Sequence, residues 1–487
     1  MTEAQYLAWL NDQYARPVVL IEVAPLIGGV PTTLYLATVG YTTGAGDSPA
    51  NTPYLGICAN GIQYSEGLSL TGEASLSVGD IELHNYGGAR DAWLTYVWAG
   101  TRVKAWLGDV SWTRADFRQV FDGVVANIDS KSRETLNLKV RDKLARLNAA
   151  ATEHKLGGDS TNKDAIIPLA FGEVPNISPL LIEPTTLTYQ VHDGAVESIF
   201  EVRDNGLPVE ITAAPGAGTF RLNQAPAGAI TATIEGDKAP TYNRTVASVI
   251  RRLVTGFGKS TDRFTADEID AANFAAFDAA HPQPVGLFIG DRTNVLAACQ
   301  QLAGSLGAQL APSATGQLRL LQIALPPAAT IDVTPAMMTE KSLRIVQRPD
   351  VVAAVKLGFC RNWTPQDNLQ TALPAEHRDL FATEWLTETA VDAAVQALYH
   401  REVDPVQKDT ALLRRVDAGV EAKRQLELWN EQRTVYEFEG LAPCLPLQLG
   451  DGVKLYNSRF GLAGAPGVVI ARTPNLKNRR VVLQVLV

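Results

Sequence analysis

Cysteine is scarce in this chain, and the little there is does not cluster. Cys58, Cys299, Cys360 and Cys444 stand far apart in 487 residues, with no CxxC or cysteine–histidine spacing. The sequence therefore predicts buried thiols, not a disulfide framework or a zinc site. Histidine is nearly as rare. His84, His154, His192, His281, His377 and His400 form no HxxxH, HExxH or HxH, so neither metal ligation nor histidine catalysis is expected. GxSxG elbows are absent too. No run of about 18 consecutive apolar residues occurs, which excludes a membrane-spanning helix. The first residues, MTEAQYLAWLNDQYARP, carry acids early and no apolar stretch of signal-peptide length, which predicts synthesis and assembly in a cytoplasm. Basic residues are in deficit, 43 Lys and Arg against 52 Asp and Glu, for a net charge of −9. Such a chain does not hold nucleic acid by neutralising phosphates. It suits the wall of a conduit along which nucleic acid slides without sticking.

What the chain does have is apolar material, 46% of its residues, enough for about three or four domains of roughly 100–200 residues each. The last stretch is the most explicit. Leu449-Gly450-Asp451-Gly452 punctuates a turn; short strands follow at Val453–Tyr456, Gly467–Ala471 and Arg480–Val487, with Gly, Pro and Asn between them. A chain end this apolar frays unless a sheet ties it down, so it predicts a closed barrel or an intersubunit sheet.

Earlier in the chain, Tyr6, Trp9, Leu10 and Tyr14 recur at helical spacing over 2–14, and a hairpin of Val18–Val23 with Thr33–Thr38 is expected across Gly28-Gly29. Alternation then marks strands at 69–78, 102–108, 119–128 and 135–140, a small barrel or sandwich that a helical turn at 141–147 closes. The domain reading is a first barrel over 1–148, an extended connecting segment over 149–185, a small inserted β-domain over 186–240, an α+β unit over 241–330 and a second barrel over 331–487 with a helical excursion at about 365–432. Within the α+β unit, Val246, Ile250, Leu253 and Val254 trace a helix, a second begins at Thr265, a strand covers Val285–Ile289, a helix covers Thr293–Ser305 and a strand covers Leu318–Ile323. The fold class is mainly β with an α+β portion, multi-domain, two barrels bracketing the rest.

Candidate chemistry is thin. Gly256-Phe257-Gly258-Lys259-Ser260-Thr261 resembles the tail of a phosphate loop, but Leu253 stands where the first glycine belongs and a helix precedes it, so a helix C-cap is the better reading. Glu376, Asp379 and Glu384 lie near Trp363 and Trp385, acids and aromatics that a glycosidase would use, or simply a solvated face. Trp93, Trp98, Trp106 and Trp112 fall in the first barrel, as core or interface. No catalytic residue, metal ligand or cofactor is predicted.

Three segments carry a resemblance: Leu449-Gly450-Asp451-Gly452-Val453 with Arg459-Phe460-Gly461-Leu462, Val140-Arg141-Asp142-Lys143-Leu144-Ala145, and Ile167 through Ile177 (IPLAFGEVPNI). Together with the order of units, they resemble the central baseplate-hub or tail-tip proteins of long-tailed bacteriophages. The resemblance implies a structural, non-enzymatic homotrimer in the virion, at the tail tip. There it would close the tail tube, anchor fibres or receptor-binding proteins and open for DNA ejection. Implied neighbours are the distal tail protein and tube above, tail fibres or receptor-binding proteins below and a tape-measure protein in the lumen; DNA passes without specific binding, and there is no stable membrane insertion. Three chains with two barrels each would match a sixfold tube. The alternatives are a distal tail ring protein, a virion-associated cell-wall hydrolase, and a carbohydrate-binding role for 186–240.

Overall fold

A computed structural model describes every residue except Thr71, Ser160 and 401–403. Strand exceeds helix, 38% to 21%, and the chain is mainly β and multi-domain. It divides into two compact units, one made of 1–145, 311–349 and 433–487, the other of 146–310 and 350–432.

The first unit holds two curled sheets. In one, the strand order is Tyr41–Thr42, Pro53–Gly56, Leu34–Ala37, Pro17–Val23, Arg102–Asp109, Arg118–Ser132, Thr135–Arg141 and Ile81–His84. Residues 57–59 bring its ends together. The Cys58 amide donates to Ala37 O at 3.0 Å, while the Ala59 amide reaches Glu82 O at 2.9 Å and the His84 amide reaches Ile57 O at 2.8 Å. The sheet thereby rolls into a barrel, which removes the open edges that invite aggregation. The second sheet runs Ile331–Val333, Gly452–Asn457, Leu462–Asn475, Arg480–Leu486, Val435–Gly440 and Arg344–Gln347, with Tyr64–Gly67 and Ser75–Val78 added along Leu462–Asn475. Alternation drives both. In Arg480–Leu486 the side chains of Val481, Leu483 and Val485 point inward and are buried, as period two requires. This strand pairs on both sides, with Leu462–Asn475 and with Val435–Gly440. The apolar chain end expected to need a partner is thus satisfied as a central strand of its own sheet.

One hydrophobic core joins the two sheets, running from Tyr6 and Trp9 through Phe121 and Leu138 to Phe438, Leu455 and Val485. The helix Glu3–Leu10 seals it. Thr2 and Gln5 form a capping box at its start, and Tyr6, Trp9 and Leu10 are buried. It is shorter than the expected 2–14; Tyr14 is 80% exposed. At its far end the Arg479 guanidinium donates from Nη1 to Trp9 O at 3.1 Å, Leu10 O at 3.0 Å and Asp12 O at 2.7 Å, placing a cation on the carbonyls of the helix end. Beyond the expected hairpin, Gly28 and Gly29 take φ of 59° and 84° at the tip of a ribbon, Leu26–Ile27 with Val30–Pro31. Of the strand expected at 69–78 only Ser75–Val78 forms; Thr71 lies outside the described residues.

The second unit begins with a small sandwich. Five strands order as Leu207–Pro208, Val196–Asp204, Ile230–Asp237, Leu169–Ile177 and Gly286–Ile289, and four as Leu180–Glu183, Thr188–Gln190, Thr219–Leu222 and Ile211–Ala214. Val174, Val202 and Ile234 of one sheet meet Tyr189, Phe220 and Leu222 of the other in one cluster. Here the structure corrects the expected connecting segment at 149–185: Leu169–Ile177 is an interior strand. Gly172 at φ 68° and Asn176 at φ 51° are kinks inside the strand, and residue types that punctuate loops also make bulges. Nor are the strands of 186–240 a sheet of their own, because Leu169–Ile177 and Gly286–Ile289 extend them.

Three helices follow, each started by a side-chain cap: Val246–Gly256 by Thr245, Ala271–Ala280 by Asp270 and Val295–Gly304 by Asn294. The helix expected from Thr265 is only a 3-10 turn at Ala266–Glu268 before Ala271. Ala354–Phe359, expected in the second barrel, instead sits between Leu386–Val391 and Lys408–Asp409 in a three-stranded sheet on which the helix Arg415–Trp429 packs. Its alternation specifies a strand, but not which sheet receives it.

Candidate functional site

The acids near tryptophan lie on an exposed face. Glu376, in the first turn of the helix Ala375–Ala382, is exposed, and so are Asp379 and Glu384. Glu384 is ion-paired at 3.0 Å with Arg361. That guanidinium lies 4.2 Å from the Trp363 ring centre and 5.3 Å from the Trp385 ring centre. One guanidinium thus lies over a face of each ring.

The glycines at 256–258 end a helix. The Phe257 amide donates to Leu253 O at 3.1 Å and Gly258 turns left-handed at φ 73°, so the carbonyl-rich end of the helix faces this loop, the end that repels phosphate. Among the histidines, His192 is fully buried. Its Nδ1 accepts the Ala170 amide at 3.0 Å, which leaves the proton on Nε2 to be donated to Asp237 at 3.3 Å. Asp237 in turn receives Arg252 Nε at 2.6 Å and Nη2 at 3.2 Å. Burial alone would push the Asp237 carboxyl up; the hydrogen bonds from His192 and Arg252 outweigh it and hold the carboxyl below its usual range. Both buried members, His192 and Asp237, are engaged, which makes this a structural clamp. Among the described residues, no group of three His, Cys, Asp or Glu could hold a metal ion. The four thiols are free; Cys58, Cys299 and Cys444 are buried, and burial pushes the Cys444 thiol up to about 11. Trp98 is core, Trp106 lies under Arg114 at 4.0 Å, and Trp112 packs on Trp9 at 4.5 Å.

Sequence reasoning missed a cavity of about 270 Å³ in the first unit. Tyr64–Gly67 lays one wall, pairing with Leu462–Asn475 so that Glu66 stands directly opposite Arg472. Glu66 is 4% exposed. Desolvation raises its carboxyl above the usual range, the Arg472 charge and the Ala314 amide offsetting only part of this. Leu10, Leu107, Leu321, Leu445 and Leu449 supply an apolar lining, and Arg118, Gln119 and Gln448 are among its polar residues. Glu66 and Arg472 come from opposite ends of the chain, so no local spacing could have linked them.

No protein-family model matches the chain, and no curated protein does. Solved structures do. A 43 kDa tail protein of prophage MuSo2 from Shewanella oneidensis is similar at 10% identity, over 96% of this chain and 98% of that one, with a TM-score of 0.41. A tail protein from Neisseria meningitidis MC58 is similar at 11% identity over 96% of both chains, with a TM-score of 0.34. A chain from the virion of a native gene transfer agent particle is 13% identical over 70% of this chain and 90% of its own, at 0.42. These neighbours are tail and virion proteins.

Proposed function

We propose that this chain is a structural virion protein, the central hub of a phage tail tip, which closes the tail tube, anchors fibres or receptor-binding proteins and opens for DNA ejection. The observation that carries this reading is the construction of the first unit: two curled sheets, drawn from the beginning and the end of the chain, share a single core. Three such chains arranged with threefold symmetry present six sheets to a sixfold tube. In this reading the domains 1–148 and 331–487, less the excursion, form the ring. The distal tail protein and tube lie above, fibres below, a tape-measure protein in the lumen, and the whole is assembled in the host cytoplasm. Acidic side chains along the lumen, within a net charge of −9, keep passing DNA from binding.

The non-enzymatic part of the reading is supported by the Arg361 stack, which occupies the tryptophans beside Glu384. Light scattering after size exclusion tests the assembly. A mass three times the 52.4 kDa of one chain is the expected result. A hexamer would replace the hub with a distal ring protein. A peptidoglycan zymogram showing a clearing band, lost on Glu376→Gln or Glu384→Gln, would replace it with a cell-wall hydrolase.

A further inference from the structure

The cavity of the first unit holds a surplus of hydrogen-bond donors. Arg472 Nη2 reaches Leu445 O only at 3.4 Å, and Nε stands 3.5 Å from Glu66 Oε2 with no hydrogen-bond acceptor. A buried guanidinium carries five N–H groups in a fixed fork, and leaving them unfilled is costly. Tyr6 and Tyr64 line the same cavity, and neither hydroxyl has a hydrogen-bond partner among the described residues. Arg118 joins them, held by Glu3 at 3.4 Å and lying 5.6 Å from the Tyr6 ring centre. The buried acid of the wall, Glu66, is already engaged by the Ala314 amide and faces the charges of Arg472 and Arg319. Leucine side chains supply much of the apolar part of the wall, and Gln119, Arg319 and Gln448 add polar groups. An apolar space with a few convergent donors is the usual form of a small-ligand site.

We infer that this cavity binds a carboxylate carried on a short aliphatic body, with Arg472 gripping the carboxylate, the two tyrosine hydroxyls donating to it and the leucine wall covering the aliphatic part. Two sources share that chemistry: the C-terminal residue of a neighbouring polypeptide, and a free branched-chain acid. A guanidinium fork matches a carboxylate in two parallel hydrogen bonds, and the surrounding apolar wall strengthens them by excluding water. Glu66 opposes the ligand by charge, so the site takes its ligand more tightly when Glu66 is neutral. The inference stands on the cavity itself and not on the hub reading.

Saturation-transfer NMR on the full chain tests it with three probes: N-acetyl-leucine, 4-methylpentanoate and the uncharged N-acetyl-leucinamide. Both acids are expected to bind and the amide to bind at least about tenfold more weakly, the loss that follows from removing a charge-assisted pair. Tighter binding of N-acetyl-leucine than of 4-methylpentanoate identifies a polypeptide terminus as the source; the reverse order identifies a free acid. Tyr64→Phe, which keeps the ring in the core, is expected to weaken both acids. Glu66→Gln is expected to strengthen them, a gain that a purely structural pair would not give. Equal binding of acid and amide, no saturation transfer from any probe, or Glu66→Gln leaving the acids unchanged or weaker would overturn the assignment.

Discussion

Replacing Asp237 by asparagine removes one charge from the clamp in the second unit while keeping its shape. In the native chain the carboxylate is 2% exposed and takes Arg252 through two nitrogens and His192 through a third. Breaking a buried ion pair by removing one partner costs about 3–5 kcal/mol. Arg252 keeps 21% of its side chain exposed and can rehydrate, and the asparagine oxygen still accepts from His192, so the low end applies, about 3 kcal/mol. The clamp ties Ile230–Asp237, the His192 loop and the helix Val246–Gly256 to the Ala170 amide at the start of Leu169–Ile177. Hydrogen exchange read by mass spectrometry on peptides 169–177 and 230–237 therefore reports it directly. Protection in both is expected to fall by about 100-fold, the equivalent of that energy. The pH dependence has a definite sign. Because the folded carboxyl is held below its unfolded value, its contribution is complete above about pH 4 and fades as pH falls through the folded value. The wild type should lose protection there and the variant should not. Exchange in the variant within about threefold of wild type, well short of the 100-fold expected, would refute the idea that this charge holds the strands.

Three other substitutions separate a kink from a turn and test a helix end. Gly172→Ala places a Cβ 1.8 Å from Val285 O at φ +68°, so it should cost more than about 4 kcal/mol and abolish soluble expression; Gly28→Ala, at φ +59° with nothing within 4 Å, should cost about 1–2 kcal/mol and leave thermal unfolding only slightly shifted. Arg479→Ala uncovers three carbonyls at the end of Glu3–Leu10, about 1–2 kcal/mol, and limited proteolysis should then clip the first 16 residues before any other site.

Strands whose side chains alternate against one core were legible, Arg480–Leu486 and Thr135–Arg141 above all, as was the stripe of Val246, Ile250 and Leu253, because period and burial are local properties. Leu169–Ile177 was not. Its glycine, proline and asparagine carry the same letters as a loop, and only pairing on both sides reveals a bulged strand. The sheet that receives Ala354–Phe359 was hidden for a related reason, since its partners begin about 30 and 50 residues later and pairing is not written in the strand itself. At the sites, residue types were visible and their neighbours were not. The sequence shows Glu384 beside tryptophans but not the Arg361 that pairs with it, and the Glu66–Arg472 opposition depends on strands from either end of the chain.

The first unit also imposes an order on biosynthesis. Its core needs Phe121 and Leu138, made early, and Leu483 and Val485, made more than 300 residues later. Leu483 and Val485 stand in a strand with neighbours on both sides. On the ribosome the shared core stays incomplete until those residues appear, while 146–310 has all the strands of its sandwich as soon as it emerges. A chain released before Leu483 would therefore complete the sandwich of the second unit but not the shared core of the first, so a surface formed by the two joined sheets exists only once both stretches have been made.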